Sequence, residues 1–134
     1  MSIVFKEEQS VGVKEIDDQH RQFIAILNEL ADAINNNKAK ETLAHIFDEL
    51  GSYAEFHFAT EEKYFDMFNY AEAEEHKIKH KELSNKIAEL KSKMAGNQIS
   101  LSFELVDFME DWLVDHLANI DQKYVQCFKE HGLS

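Results

Sequence analysis

The sequence has no proline, four glycines and a single cysteine among its 134 residues. Without proline nothing forces a helix to stop or kink, so long uninterrupted helices are permitted throughout. With Cys127 as the one cysteine, no intrachain disulfide can form, which fits a reducing compartment. Long apolar runs are missing too. None approaches the roughly 18 uncharged residues that a membrane span needs. Nothing at the N-terminus reads as a signal peptide, because Met1 to Phe5 is too short and Lys6, Glu7 and Glu8 follow at once. Positive charge is scarce: 14 Lys and Arg stand against 26 Asp and Glu, a net charge of -12. Such a field repels a polyanion, so nucleic acid is not an expected partner. No segment alternates at period two for long enough to make a strand. These absences lead to the expectation of a soluble, cytoplasmic, all-helical protein.

What is present suits one domain over residues 1–134. The chain is 44% hydrophobic, and its length is enough to bury a core without disulfide staples. Residues 1–16 show no clean period and read as an N-terminal arm; residues 17–131 read as the helical body. Asp17 or Asp18 can cap a first helix, whose apolar stripe is Phe23, Ile24, Leu27, Leu30 and Ile34. The run Asn35-Asn36-Asn37 ends it, because asparagine competes with the helix backbone for hydrogen bonds. A second helix starts near Ala39 and runs to a turn at Asn69-Tyr70-Ala71. The third carries Leu83, Ile87, Leu90 and Met94 and closes at Ala95-Gly96-Asn97. The fourth begins around Ser100 or Ser102, presents Phe103, Val106, Met109, Leu113, Ile120, Tyr124 and Phe128, and ends near Gly132. Four amphipathic helices joined by short turns imply an antiparallel, up-down-up-down four-helix bundle.

Onto these stripes fall seven side chains able to hold a metal: His20, His57, Glu61, His76, His80, His116 and Asp121. Residues four apart share a helix face, so His57 and Glu61 point at one spot, as do His76 and His80. The groups lie early in helix one, late in helix two, early in helix three and late in helix four. In an antiparallel bundle those places coincide at one end. His116 and Asp121 are the loosest link, since five residues leave them about 140° apart around a regular helix. Either Asp121 reaches in from the flank, or a local π-type bulge realigns it. Five imidazoles and two carboxylates exceed the coordination number of one ion. Two ions sharing the carboxylates would use them all, and this ligand set suits iron. Without metal, Glu61 and Asp121 would be costly desolvated charges. His45 and His131 fall off the pattern and read as surface residues, and Cys127 reads as a small buried or half-buried hydrophobe.

Taken together, these residues resemble the hemerythrin family in its single-domain bacterial form. The resemblance rests on Ile16-Asp17-Asp18-Gln19-His20, His57-Phe58-Ala59-Thr60-Glu61-Glu62, His76-Lys77-Ile78-Lys79-His80, and Trp112-Leu113-Val114-Asp115-His116 followed by Asp121. It implies two non-haem iron ions. His76, His80 and His116 would hold one, and His20 and His57 the other, which keeps an open position for dioxygen. Glu61 and Asp121 would bridge the pair beside an oxo or hydroxo group. Phe58, Trp112, Leu113 and Leu117 would line the dioxygen pocket. The chain departs from the family at Phe5, where a tryptophan is common, and at Tyr70-Ala71, in place of a frequent Tyr-Pro.

The expected function is reversible dioxygen binding for transport, storage or local supply, without enzymatic turnover. An oxygen-consuming acceptor protein is compatible with it, and a monomer is the expected state. Two other classes stay open: a dioxygen or redox sensor module, and a di-iron oxidase, peroxidase or nitric-oxide-handling enzyme. Ferritin-like di-iron oxidases use Glu-x-x-His pairs at a spacing of three with more carboxylates, which this sequence lacks.

Overall fold

Long helix-favouring stretches between asparagine-rich turns become the pillars of the structure. The computed structural model describes residues 10–113, 115–116 and 121–133. Helix α1 spans Lys14–Asn35, α2 Ala39–Phe68, α3 Ala73–Lys91 and α4 Gln98–Trp112, and a short α5 covers Val125–Glu130. No strand occurs among the described residues, and no helix among them is long and apolar enough to cross a membrane. Helix α1 packs along α2 and α4, and α2 along α3 and α4, which makes an antiparallel helical bundle.

The turns follow from local chemistry. Asn36 ends α1, Asn37 turns left-handed at φ 58°, and Asn69 does the same after α2 at φ 51°. Asparagine tolerates that region better than other side chains, because its amide can hydrogen-bond locally. Asn97 caps α4 by accepting the Ser100 backbone N–H at 3.0 Å, so the helix starts at Gln98, ahead of the serines expected to begin it.

Two further features differ from expectation. Helix α1 begins at Lys14 rather than Asp17 and has no side-chain cap. Asp17 instead reaches back from the first turn, accepting the Val11 backbone N–H at 2.9 Å and the Ser10 hydroxyl. This ties the described part of the arm, with Val11 and Val13 buried, onto the bundle. Phe5, the family departure in the arm, lies outside the described residues. The fourth helix is not one regular rod either. After Trp112 the backbone widens into π-helical turns at Leu113, Asp115 and His116, then tightens to a 3-10 turn over Asp121–Tyr124 before α5. Leu117 and Ile120 lie outside the described residues.

The interior has two apolar clusters. One joins Leu30, Leu43, Leu50, Leu90, Leu105 and Met109; the other joins Val13, Ile16, Phe65, Tyr124 and Phe128. Along α2, His57 stands beside the last member of the first cluster, Phe58, and Glu61 falls between Phe58 and the first α2 member of the second, Tyr64. Phe103, expected on the inner stripe, is 53% exposed. The buried face of α4 is set by Leu101, Leu105 and Met109, spaced four apart. Phe103 sits two residues from Leu101, about 200° around the helix.

Candidate metal centre

All seven expected donors are buried, and they converge at one level of the bundle. The turn after α2 sets α3 antiparallel, so His76 and His80 face back toward Glu61 at the end of α2. Two donor groups form, each with its ligand atoms within 4.8 Å of one another: Glu61 with His76, His80 and His116, and His20 with His57, Glu61 and Asp121. Glu61 belongs to both. Its Oε1 lies 2.9 Å from His80 Nε2, 3.3 Å from His57 Nε2 and 3.6 Å from His76 Nε2. Its Oε2 accepts the Tyr124 hydroxyl. Asp121 divides its two oxygens between the groups. Oδ1 is 2.8 Å from His76 Nε2 and 2.9 Å from His116 Nε2, while Oδ2 is 3.0 Å from His20 Nε2 and 3.7 Å from His57 Nε2.

The spacing of five between His116 and Asp121 thus coincides with π-helical backbone at His116, the second of the two routes open from the sequence. A π turn takes in more residues than an α turn, which moves a residue five positions on toward the same face.

The polar chemistry of this interior calls for a cation. His57 Nε2, His76 Nε2, His116 Nε2 and Asp121 Oδ1 are sequestered from solvent, yet none has an aligned hydrogen-bond partner despite the short separations. Imidazole lone pairs facing carboxylate oxygens repel unless a proton or a metal stands between them. The set therefore fits divalent metal, and each donor type suits iron.

Electrostatics in the metal-free chain tell the same story. Burial raises Glu61, and Asp121 adds to this, yet His57, His76 and His80 outweigh both and hold its carboxyl below the ordinary range. Asp121 is held low against burial by His116, His20 and His57. Burial pulls His76 down, but Asp121 and Glu61 win and lift it to about 9. His116 goes the other way, because its burial outweighs the pull of Asp121. For His76 the folded value lies above the ordinary 6.5, so its proton stabilises the fold fully below pH 6.5, and that contribution is lost as pH rises through about 9. We expect metal-free protein to lose stability between those limits in urea titrations. A flat profile would remove the proton from His76.

Several partners escaped the sequence reading. His57 Nδ1 is 2.6 Å from Gln19 Oε1, and Gln19 Nε2 donates to Thr60 Oγ1 at 3.1 Å. The Gln19 carbonyl fixes the His57 tautomer with Nδ1–H, which leaves the Nε2 lone pair facing inward. His80 Nδ1 is likewise 2.8 Å from Glu62 Oε2. These residues are next in sequence to donors, and no spacing rule marks them. Gln19→Leu keeps the volume but removes the acceptor; metal affinity is expected to drop about 10- to 100-fold. Competition with a chromophoric chelator measures this, and unchanged affinity would deny Gln19 the role.

Of the residues expected to line a pocket, Phe58 stacks on the His80 ring with centroids 4.0 Å apart, and Trp112 stacks on His116 at 3.9 Å. Phe58 and Trp112 approach to 6.2 Å, and Leu113 is buried in the same cluster. Leu117 lies outside the described residues. His45 and His131 are exposed, and Cys127 is half-buried, as the sequence suggests.

Comparison with known proteins agrees with this centre. The model of the hemerythrin HHE cation binding domain matches residues 11–128. A bacteriohemerythrin of Clostridium acetobutylicum is 30% identical over 126 residues, covering 91% of this chain and 98% of its own length. A bacteriohemerythrin of Stenotrophomonas maltophilia is 29% identical, covering 96% of this chain and 83% of its own. Among solved structures, a hemerythrin carrying a leucine-to-tyrosine substitution superposes with a TM-score of 0.80 at 27% identity, over 95% of this chain and 98% of that one. The matched region spans all seven converging donors, and the chain belongs to the hemerythrin family, with the metal-binding domain that defines it.

Proposed function

We propose that this chain binds dioxygen reversibly at a pair of non-haem irons and serves in oxygen transport, storage or local supply. The observation that carries the reading is the division of donors: three imidazoles on one side, two on the other, and Asp121 presenting one oxygen to each. His76, His80 and His116 would hold one iron, His20 and His57 the other, and Glu61 and Asp121 would bridge them beside an oxo or hydroxo group. The ion with fewer protein ligands keeps room for a small molecule. When bound, the iron pair supplies the two electrons that reversible dioxygen binding needs.

The protein's part is to hold and to exclude. Gln19 and Glu62 orient His57 and His80. Tyr124 donates to Glu61 and holds that carboxylate in place. Phe58, Trp112 and Leu113 wall the imidazoles with apolar surface that keeps out water and external protons. Imidazole-rich ligation places little negative charge on the metals, which disfavours the high-valent states an oxidase uses.

The test is an optical titration of iron-loaded protein between argon and air, with iron counted. Two irons per chain, a colour that appears in air and bleaches under argon, and repetition over several cycles are expected. Rapid one-way conversion to a ferric form would favour the sensor or the enzyme. Leu113→Ala, which opens the wall, is expected to speed the loss of cycling several-fold. Unchanged decay in air would show that Leu113 does not shield the site.

A further inference from the structure

The chain has four tyrosines, and three of them give their hydroxyl to a glutamate: Tyr64 to Glu15, Tyr70 to Glu72 and Tyr124 to Glu61. Tyr53 is the exception. It is 1% exposed, and its hydroxyl oxygen is sequestered from solvent with no hydrogen-bond partner among the described residues. A buried hydroxyl left unpaired costs stability that phenylalanine at the same place would keep. Packing alone therefore does not account for a tyrosine here.

The place is next to the metal centre. Tyr53, His57 and Glu61 are buried on α2 at a spacing of four, so they share one face and His57 stands between Tyr53 and the shared carboxylate. The Tyr53 ring stacks on the His57 ring, with centroids 5.2 Å apart and planes 14° from parallel. His57 in turn meets His20 at 4.9 Å, and Phe23, one turn after His20 on α1, backs the phenol at 5.4 Å. Tyr53 thus flanks the group that has two imidazoles, across His57 from Glu61. It shares the first apolar cluster with Phe58 and Leu113. Gln19 and Thr60, the polar partners already described beside His57, are paired with it and with each other.

We infer that the Tyr53 hydroxyl is a hydrogen-bond donor for a small guest that carries negative charge, taken up at the His20 and His57 half of the centre. The inference rests on the proposed iron pair, whose less-ligated ion leaves room there. An apolar wall by itself sorts guests only by size. One phenol in that wall adds a charge-assisted hydrogen bond, which selects a guest with an anionic end over a neutral one of the same size. The donor is also held ready: its ring is pinned between Phe23 and His57 and loses little freedom when a guest arrives.

Sodium azide titrated into air-oxidised, iron-loaded protein at neutral pH tests this, with iron counted in every sample. Wild type is expected to bind azide. Tyr53→Phe, which removes one oxygen atom, is expected to bind it about 10-fold more weakly at the same iron content. Urea unfolding of the metal-free chains is the second readout. There Tyr53→Phe is expected to keep or raise the midpoint, because the lost hydroxyl leaves no partner behind. Equal azide affinity in the two proteins would overturn the role of Tyr53 and leave the open position intact. A lower midpoint in Tyr53→Phe would also overturn it, since the hydroxyl would then already serve the fold. Wild type that loads no iron pair, or loads it and binds no azide, would remove the open position itself, and with it both this inference and the proposed function.

Discussion

Glu61→Ala is expected to leave a folded bundle that retains no stable metal. Glu61 is the one residue common to both donor groups. Its Oε1 faces three imidazoles, and its Oε2 receives the Tyr124 hydroxyl. Removing the carboxylate deprives each prospective ion of an anionic ligand and leaves the Tyr124 hydroxyl without its acceptor in a dry interior. A stranded buried hydroxyl costs on the order of 1–3 kcal/mol. Alanine itself favours helix, so α2 persists. Metal analysis after desalting is expected to show near-zero content, with helical circular dichroism intact. Glu61→Gln keeps the shape and loses the charge, and is expected to fall between. A Glu61→Ala chain carrying its full metal complement would remove the shared-carboxylate arrangement on which the proposed function rests.

The second large effect is on stability. Phe65 is fully buried and sits where three helical segments meet. Its ring lies 4.8 Å from His76 on α3, 5.5 Å from Tyr124 and 5.9 Å from Phe128 on α5. Phe65→Ala deletes the ring and leaves a cavity that helices on three sides cannot close. The expected cost is about 3–5 kcal/mol, a large part of the roughly 5–15 kcal/mol that holds a typical domain together. In urea the midpoint should fall sharply with little change in slope. The His76 ring also loses its backing, so metal binding should weaken alongside. A cost below about 1 kcal/mol would mean that the second cluster repacks freely.

The donors were readable because helix periodicity is rigid. His57 with Glu61 and His76 with His80 needed only a spacing of four and an antiparallel return. The turns were readable for a similarly local reason, since asparagine at Asn36, Asn37 and Asn69 announces a helix end. Asp121 was legible only as a conflict. A regular helix points it away from His116, and the resolution lies in π-helical backbone that no side-chain pattern encodes. Gln19 and Glu62 were invisible because each is next to a donor, on a flank where polar residues normally mean solvent. Phe103 misled because α4 offers two apolar registers, and only packing against the neighbouring helices decides between them. The start of α1 was misplaced because Asp17 anchors the arm instead of capping the helix.

The approach of His20 to Asp121 joins positions 101 residues apart. An ion held by both would clasp the opening of the first helix to the closing segment of the chain. In the unfolded state that clasp would tie off a loop of about three quarters of the polypeptide, and a link of such length carries about 4–5 kcal/mol of chain entropy in the simplest treatment. This is the service a disulfide performs in secreted proteins, here available to a chain with one cysteine. The clasp is also reversible: whatever strips the ion releases both ends of the molecule together, so the supply of metal would govern how long each copy survives proteolysis.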